Sequence, residues 1–505
     1  MPTLKSLLQN IIEIDSIPDV NISGLTLDSR KVKSGDLFFA YLGETLDGKQ
    51  FIDQAIANGA AAILCDTTKQ SAKDFEILDP AVKPRDDGQK SSIPIIAIPN
   101  LIEKIGVIAA NFYDNPSREM LVIGITGTNG KTSISYLLTS ALQKLRRKVG
   151  LIGTLGYGTT SALTPSIYTS PNPIMLQRIL HDFKQQNIDT VVMEVSSHSL
   201  DQKRFSGIEI KFATFTNLTH DHLDYHKTMQ EYAKAKQQLF TMPSIKHGIF
   251  NLDDPIGLNW FKQFKNNFEV FGYTLKLNSD KNIIAAKNIQ THPHGICADI
   301  ISPWGEGELK SILLGRFNIS NLLAVITNLC LLGYDLNKVL SVIPTLQPVP
   351  GRMQIFSVEN KPLIVIDFSH TPDALQHALQ TLREHCRGKL FCVFGCGGDR
   401  DRDKRPKMAK IAEQLSDQVI VTNDNVRFEN PQQIANDILT GLTKPDKILV
   451  ELDRTKAIAL TIQKACPQDI ILLAGKGHEP YQIIGDKRLP YSDIETVKKT
   501  FAEHD

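Results

Sequence analysis

Leu121-Val122-Ile123-Gly124-Ile125-Thr126-Gly127-Thr128-Asn129-Gly130-Lys131-Thr132-Ser133 is an apolar run that closes in a glycine-bounded turn and opens onto a helical pattern from Ser133 to Arg147. A strand, a tight loop and a helix in that order form a phosphate-binding loop. Glycines let backbone N–H groups wrap the phosphates, the helix start adds partial positive charge, Lys131 reaches the terminal phosphates and Thr132 can hold Mg²⁺. Gly127, Thr128, Asn129, Gly130, Lys131, Thr132 and Ser133 are therefore candidate nucleotide contacts. The match to G-x-x-x-x-G-K-[ST] is imperfect, because Ile125 stands where the leading glycine belongs and the nearest glycines are Gly124 and Gly127.

Outward from this loop the same rhythm continues. Apolar runs at Thr190 to Val195, Phe212 to Asn217 and Gly248 to Leu252 alternate with amphipathic segments, which builds a largely parallel sheet covered by helices. The three prolines between Pro344 and Pro350 interrupt the pattern. It restarts with runs at Leu363 to Phe368, Leu390 to Phe394, Val419 to Thr422 and Ile470 to Ala474, and helices from Pro372, Arg405, Pro431 and Arg454. That is a separate doubly wound α/β unit with ligand loops at its strand C-termini. Upstream, short β-like runs (Leu37 to Tyr41, Ala60 to Cys65, Ile95 to Ile98) flank a helix from Phe51 to Asn58, and the polar stretch Thr67 to Ser92 reads as a surface excursion. The pattern changes at Asn115-Pro116-Ser117. The expectation is an α/β chain of three domains: an N-terminal substrate domain over 1–99, a central P-loop domain over 100–347 and a C-terminal Rossmann-like domain over 348–505.

Composition limits the function classes. A chain of 505 residues has room for roughly three domains. Its 42% hydrophobic and 22% charged residues exclude disordered and fibrous classes, and 56 basic against 55 acidic residues, with no block of like charge, argue against nucleic-acid or membrane-surface partners. Seven scattered cysteines without C-x-x-C spacing fit a reduced cytoplasm. The most apolar stretch, Leu322 to Leu332, falls short of the roughly 18 residues a membrane span needs.

Two further clusters lie at strand ends of the nucleotide domain. Met193-Glu194-Val195-Ser196-Ser197-His198 sets a carboxylate beside the loop, where Mg²⁺ needs an oxygen ligand. Asn217-Leu218-Thr219-His220-Asp221-His222-Leu223-Asp224-Tyr225-His226 gathers histidines and aspartates in metal-ligating density.

In order and spacing, GTNGKTS, MEVSSH and FTNLTHDHLDYH resemble the Mur ligases, ATP-dependent enzymes that build the peptide of bacterial cell-wall precursors. LDSRKVKSGDLFFA, TSPNP, LLGRFNISNLLA, PVPGRM, DFSHTPDAL, CVFGCGGDRDRDKRP, NDNVR and AGKGHEPYQ extend the likeness over nearly the whole chain, the last five toward the branch that adds the third amino acid. The resemblance implies that Ser29, Thr169, Ser170, Ser197, Gln202 and Arg204 hold a UDP-N-acetylmuramoyl-dipeptide. It implies that Glu194 and His222 join Thr132 at Mg²⁺, and that Lys236, fourteen residues after His222, carries a carbamate and completes that metal set. Asn318, Asn321, Arg352 and Asp367 are implied at the ATP, and Arg400, Asp424, Asn425, Arg427, Gly475 and Glu479 around the incoming amino acid. One departure is local: the family reads D-N-P-R where this chain has Asp424-Asn425-Val426-Arg427, which puts the loop's rigidity in question.

The chemistry of the residues agrees. A carboxylate is a poor acyl donor, so joining it to an amine first requires an acyl phosphate from ATP; the resemblance implies Lys131, Glu194, His222 and Lys236 as the catalytic set. The amine then attacks through a tetrahedral intermediate that needs nearby cations. Arg427 offers a planar fork for an extra carboxylate, which favours meso-diaminopimelate over L-lysine as the added amino acid. L-lysine, a folylpolyglutamate-synthetase-like ligase and a nucleotide-operated switch remain the alternatives. The expected protein is a cytoplasmic monomer.

Overall fold

The structure is a computed structural model that describes residues 1–13, 17–43, 46–67, 93–166, 169–278, 280–445 and 448–502. The excursion expected over Thr67 to Ser92 lies, beyond Thr67, outside the described residues. The chain divides into two compact units, Met1–Phe271 and Gly272–Asp505.

The first unit opens with a parallel sheet of four strands in sequence order, Gly24–Thr26, Asp36–Ala40, Ala62–Asp66 and Ile95–Ile98. Its middle strands are buried at every residue and apolar apart from the terminal Asp36 and Asp66, because both faces are covered. Leu37, Phe39 and Leu64 pack with helices Leu4–Leu8 and Leu101–Phe112, whereas Phe38, Ala40 and Ile63 pack with Ala55 of helix Ile52–Ala57.

The larger sheet of this unit is organised around strand Leu121–Thr126. Phe212–Phe215 pairs with it on one side and Thr190–Glu194 on the other, both parallel, with Thr126 beside Phe215 and Ile125 beside Glu194. That register delivers three strand C-termini to one edge. Val149–Gly153 lies beyond Thr190–Glu194 and turns into an antiparallel hairpin, Gly156–Thr159 and Ala162–Thr164. On the opposite flank His247–Asn251 pairs with Phe212–Phe215.

The second unit begins within strand Glu269–Thr274, whose last three residues pair with Ile283–Ala285. An antiparallel meander follows, Ile283–His292, Gly295–Ser302 and Gly305–Ser311, then helix Arg316–Leu331. The remaining sheet has the order Gln354–Phe356, Leu363–Asp367, Ile470–Ala474, Leu390–Phe394, Gln418–Val421, Leu449–Val450, parallel except for the first strand. Helices cover both faces. Leu375, Leu379 and Met408 close one and Ile458, Ile462 and Val497 the other. Such a doubly wound sheet presents ligand loops at the carboxyl ends of its strands, which is where Asp367, the Gly395–Gly398 turn, Asp424 and Gly475 fall. No helix among the described residues is long and apolar enough to cross a membrane.

Candidate active site

Residues 127–130 turn sharply off their strand. Gly127 (φ +146°) and Gly130 (φ +86°) hold conformations that side chains rarely adopt, and a Cβ on Gly127 would collide with Thr216. Helix Lys131–Lys144 starts at once, so its first amides face the loop. The loop is braced by the next strand: Asn129 N–H donates to Asn217 Oδ1 (2.9 Å), Thr216 Oγ1 donates to Asn129 O (2.6 Å) and Thr128 N–H donates to Asn217 O (2.8 Å).

Lys131 Nζ folds back onto its own loop, donating to Gly127 O (3.0 Å) and Thr128 O (2.8 Å). Burial pushes its pKa down, against the pull of Glu194 and Asp221. Lys236, in the last turn of helix Met229–Gln237, is 1% exposed and donates to the same Gly127 carbonyl at 2.7 Å. Burial first, and then the neighbouring Lys131 cation, hold its amine well below the ordinary lysine range, with Asp221 opposing. Its Nζ also stands 4.4 Å from the centre of the Tyr232 ring.

Glu194 is buried at the end of its strand, where its carboxylate accepts from Thr132 Oγ1 (2.9 Å), Thr154 N–H (2.7 Å) and Thr154 Oγ1 (3.1 Å). Two oxygen donors of the expected metal set, Thr132 and Glu194, thus meet. His222, the cap of the short helix Leu223–His226, packs edge-on against His198 at 4.8 Å and lies 3.4 Å from Asp221 Oδ2. Among the described residues no group of three or more His, Cys, Asp or Glu side chains stands in metal-holding geometry.

Several of the residues expected at the sugar-peptide substrate gather beside Glu194. Ser170 Oγ donates to the Glu194 carbonyl (3.1 Å), Arg204 Nη1 donates to Ser170 O (2.7 Å), Thr169 Oγ1 is 3.2 Å from Thr154 Oγ1, and Ser197 Oγ is 2.9 Å from His226 Nε2. Gln202 caps helix Ser197–Asp201. Ser29 instead is closed within the small sheet domain, donating to Gln54 Oε1 (2.6 Å) while its carbonyl accepts from Asn58.

In the second unit, Asn318 Nδ2 donates to Leu314 O (2.7 Å) and Asn321 Nδ2 to Asn318 Oδ1 (3.0 Å), so both asparagines sit in the first turns of helix Arg316–Leu331. Asp367 accepts from Met353 N–H (2.8 Å) and from Ser369 Oγ. Its burial raises its pKa, against those bonds and the nearby Arg352, whose guanidinium lies 5.3 Å from the Phe368 ring centre.

The expected amino-acid pocket assembles around a residue the sequence reading passed over. Lys476 is fully buried between Gly475 (φ +110°) and Gly477 (φ +54°) and donates to Glu479 Oε2 (2.7 Å) and Asn425 Oδ1 (2.9 Å), with Asp424 Oδ1 at 3.9 Å. Asn425 Nδ2 in turn donates to Glu479 Oε2 (3.0 Å). A signal was available, since Lys476 stands three residues before Glu479 at the end of a buried strand, a spacing at which the two charges can pair. Arg427 Nη1 already donates to Gly398 O (2.8 Å) and Asn425 O (3.3 Å), so its fork is partly satisfied before any ligand arrives. Arg400 stays at the rim, its Cγ near Gly397. Thr154 and Tyr232 were likewise not singled out: the strand before Thr154 is disguised by Gly150 and Gly153, and Tyr232 reaches the loop from far along the chain, its hydroxyl 3.2 Å from Thr128 Oγ1.

The family model described as the Mur ligase family catalytic domain matches residues 21–113, the Mur ligase middle domain 125–329, and the Mur ligase glutamate ligase domain 351–477. The chain belongs to the Mur ligase family. It is 45% identical over 483 residues to the UDP-N-acetylmuramoyl-L-alanyl-D-glutamate–2,6-diaminopimelate ligase of Coxiella burnetii, covering 95% of this chain and 96% of the relative. It is 40% identical to the ligase of the same name from Vibrio vulnificus, covering 98% of each. A solved structure of a ligase of that name superposes with a TM-score of 0.76 at 34% identity, covering 99% of each chain. Every match of the Mur ligase models thus spans one of the sites described: residues 21–113 hold Ser29, 125–329 the phosphate loop, and 351–477 most of the Lys476 cluster.

Proposed function

We propose that this chain is an ATP-dependent, ADP-forming ligase that joins meso-diaminopimelate to UDP-N-acetylmuramoyl-L-alanyl-D-glutamate in peptidoglycan precursor synthesis. The observation that carries the reading is the meeting of Lys131, Thr132, Glu194 and Lys236 around one glycine loop, within a chain whose relatives bear that name. Lys131 neutralises the phosphates while the substrate carboxylate attacks in line, and the Thr169, Ser170, Ser197 and Arg204 group holds that substrate close to Glu194. Ser29, Gln202, Asn318, Asn321, Arg352 and Asp367 complete the substrate and nucleotide contacts. The fit for Mg²⁺ is chemical: the Thr132 hydroxyl and the Glu194 carboxylate are the hard oxygens that ion takes, and His222 and Lys236 would complete the set. When bound, Mg²⁺ supplies charge neutralisation at the transferring phosphoryl group.

Lys236 is the member whose unmodified form fits least. Two ammonium groups on the Gly127 carbonyl repel, and a lysine whose pKa is well below the ordinary range offers the neutral amine that reacts with CO₂ to give a carbamate. The amino acid is selected by Arg400, Asp424, Asn425, Arg427, Gly475 and Glu479, with the carboxylates for the distal ammonium and the arginines for the carboxylates. The protein acts as a cytoplasmic monomer, divided functionally at about residues 99 and 347.

The test is to incubate the purified protein with ATP, Mg²⁺, the UDP-dipeptide and either diaminopimelate or L-lysine, and to weigh the product. One amide product per ADP with diaminopimelate is expected. Equal or better kcat/KM with L-lysine would overturn the choice of amino acid, and phosphate release without amide formation would overturn the ligase.

A further inference from the structure

His385, the last residue of helix Pro372–His385, is completely buried and takes no part in the chemistry above. Its Nδ1 lies 2.6 Å from the His292 carbonyl oxygen, and its Nε2 lies 2.9 Å from the Gly315 backbone nitrogen. A carbonyl can only accept and an amide N–H can only donate, so these contacts fix the tautomer: the proton is on Nδ1, and Nε2 accepts from Gly315.

Gly315 is the hinge of the turn into helix Arg316–Leu331. Its φ is +89°, and a Cβ there would press on Phe317 and Thr381. Its carbonyl accepts from Asn318 N–H (2.9 Å), the preceding Leu314 carbonyl accepts from Asn318 Nδ2, and Asn318 Oδ1 accepts from Asn321. Leu314 belongs to the apolar core that also contains Leu375, Leu379 and Leu382. A second tie runs parallel to the ring, Thr291 Oγ1 donating to Glu384 O at 3.3 Å. The imidazole therefore joins a segment matched by the middle-domain family model to one matched by the glutamate-ligase-domain model, inside a single compact unit.

We infer that His385 is a positioning residue that fixes the Leu314–Gly315 turn, and through it Asn318 and Asn321, only while its ring is neutral. The inference rests on the reading of those asparagines as nucleotide contacts. Protonating Nε2 would set an N–H against the Gly315 N–H. Burial lowers the ring's pKa. The groups around it are the His292 carbonyl and Glu384, which favour the charged form, and His292 and Arg387, which oppose it. A depressed histidine pKa means the contact is complete above the ordinary value near 6.5 and is lost as pH falls toward the lowered one.

The experiment measures the affinity of the full chain for a fluorescent ADP analogue between pH 7.5 and 5, for the wild type, His385→Gln and His385→Leu. Gln keeps an acceptor for Gly315 that does not titrate, and Leu removes it. The wild type should lose affinity in acid and H385Q should not. H385L should bind about tenfold more weakly at neutral pH, the cost of one unpaired buried donor, with KM for the UDP-dipeptide changed by less than about twofold. Nitrogen-15 shifts of the ring should report the Nδ1–H tautomer at neutral pH, a reading that does not depend on any variant folding. An H385L protein that binds as tightly as wild type, superimposable acid limbs for wild type and H385Q, or an Nε2–H or protonated ring at neutral pH would overturn the inference. A wild type that binds no nucleotide analogue at any pH would instead overturn the nucleotide reading on which it rests.

Discussion

Replacing Gly153 by alanine tests the geometry of the phosphate loop without removing any functional group. Gly153 ends strand Val149–Gly153, and its φ is not in the left-handed region, so alanine suits the backbone. A methyl there would stand 2.9 Å from both Cγ and Cδ of Glu194, and closer still to Oε1, where ordinary contacts begin at 3.4 Å. The carboxylate must therefore retreat by about 0.5–1 Å, loosening its bonds from Thr132 Oγ1 and Thr154 N–H. Misplacement of a catalytic group by 1 Å costs on the order of 10²-fold, so G153A should lose roughly 10- to 100-fold in kcat while KM for the amino acid stays put. The assay couples ADP release to amide product, with the melting temperature followed in parallel. A G153A protein with kcat within about threefold of wild type and an unchanged melting temperature would refute the placement of Glu194 at the reacting phosphate.

Three other outcomes are expected, two at the same loop and one in the core of the second unit. Lys131→Ala should lose about 10²-fold or more of turnover while binding of the UDP-dipeptide, measured by calorimetry, survives. Lys236→Ala should be inactive, and short carboxylic acids should restore part of the rate by filling the place of the carbamate; full activity without added acid would contradict the modified lysine. Asp493→Asn should destabilise the second unit by about 3–5 kcal/mol in denaturant titration, because it strips the charge from a fully buried pair in which Arg454 donates to both carboxylate oxygens at 2.8 and 2.7 Å.

What could be read from the chain beforehand were the elements whose patterns repeat over a full strand or helix. Leu121–Thr126, Leu390–Phe394 and Ile470–Ala474 fall on their apolar runs because each strand is buried on both faces, and Ile95–Ile98 does so with its two end residues buried. Val149–Gly153 was missed because two of its five residues are glycines, one left bare for the Phe183 ring and the other for Glu194. The meander Ile283–Ser311 was missed because its strands turn polar and half-exposed midway, as in the alternation from Lys287 to His292. Residues carried by short motifs were visible, whereas His385 and Tyr232 were not. Each of these acts through hydrogen-bond partners far along the chain, Gly315 and His292 for His385 and Thr128 for Tyr232, and such partners leave no local signature.

The valine at position 426 shows how a lost local constraint is replaced by longer-range ones. A proline there would fix one backbone angle. Here the loop is tied at three successive residues instead. Asn425 O accepts from Gly398 N–H (2.9 Å), Val426 is 3% exposed within the apolar core and its carbonyl accepts from Glu429 N–H (3.1 Å), and Arg427 is bonded on both sides of its peptide to the hairpin, donating to Ile483 O (3.0 Å) and accepting from Gly485 N–H (2.7 Å). Asn425 Oδ1 takes a further bond from Ile483 N–H at 2.9 Å. Those ties hold Arg427 at φ +50°, a left-handed conformation that costs a side-chain-bearing residue on the order of 1 kcal/mol and persists only where the surroundings over-determine it. The strain falls on the residue whose guanidinium is read as the carboxylate clamp. The rigidity that the proline would have supplied is therefore carried by the hairpin Tyr481–Pro490, and the direction of the Arg427 fork depends on that hairpin's register rather than on the ring of the residue before it.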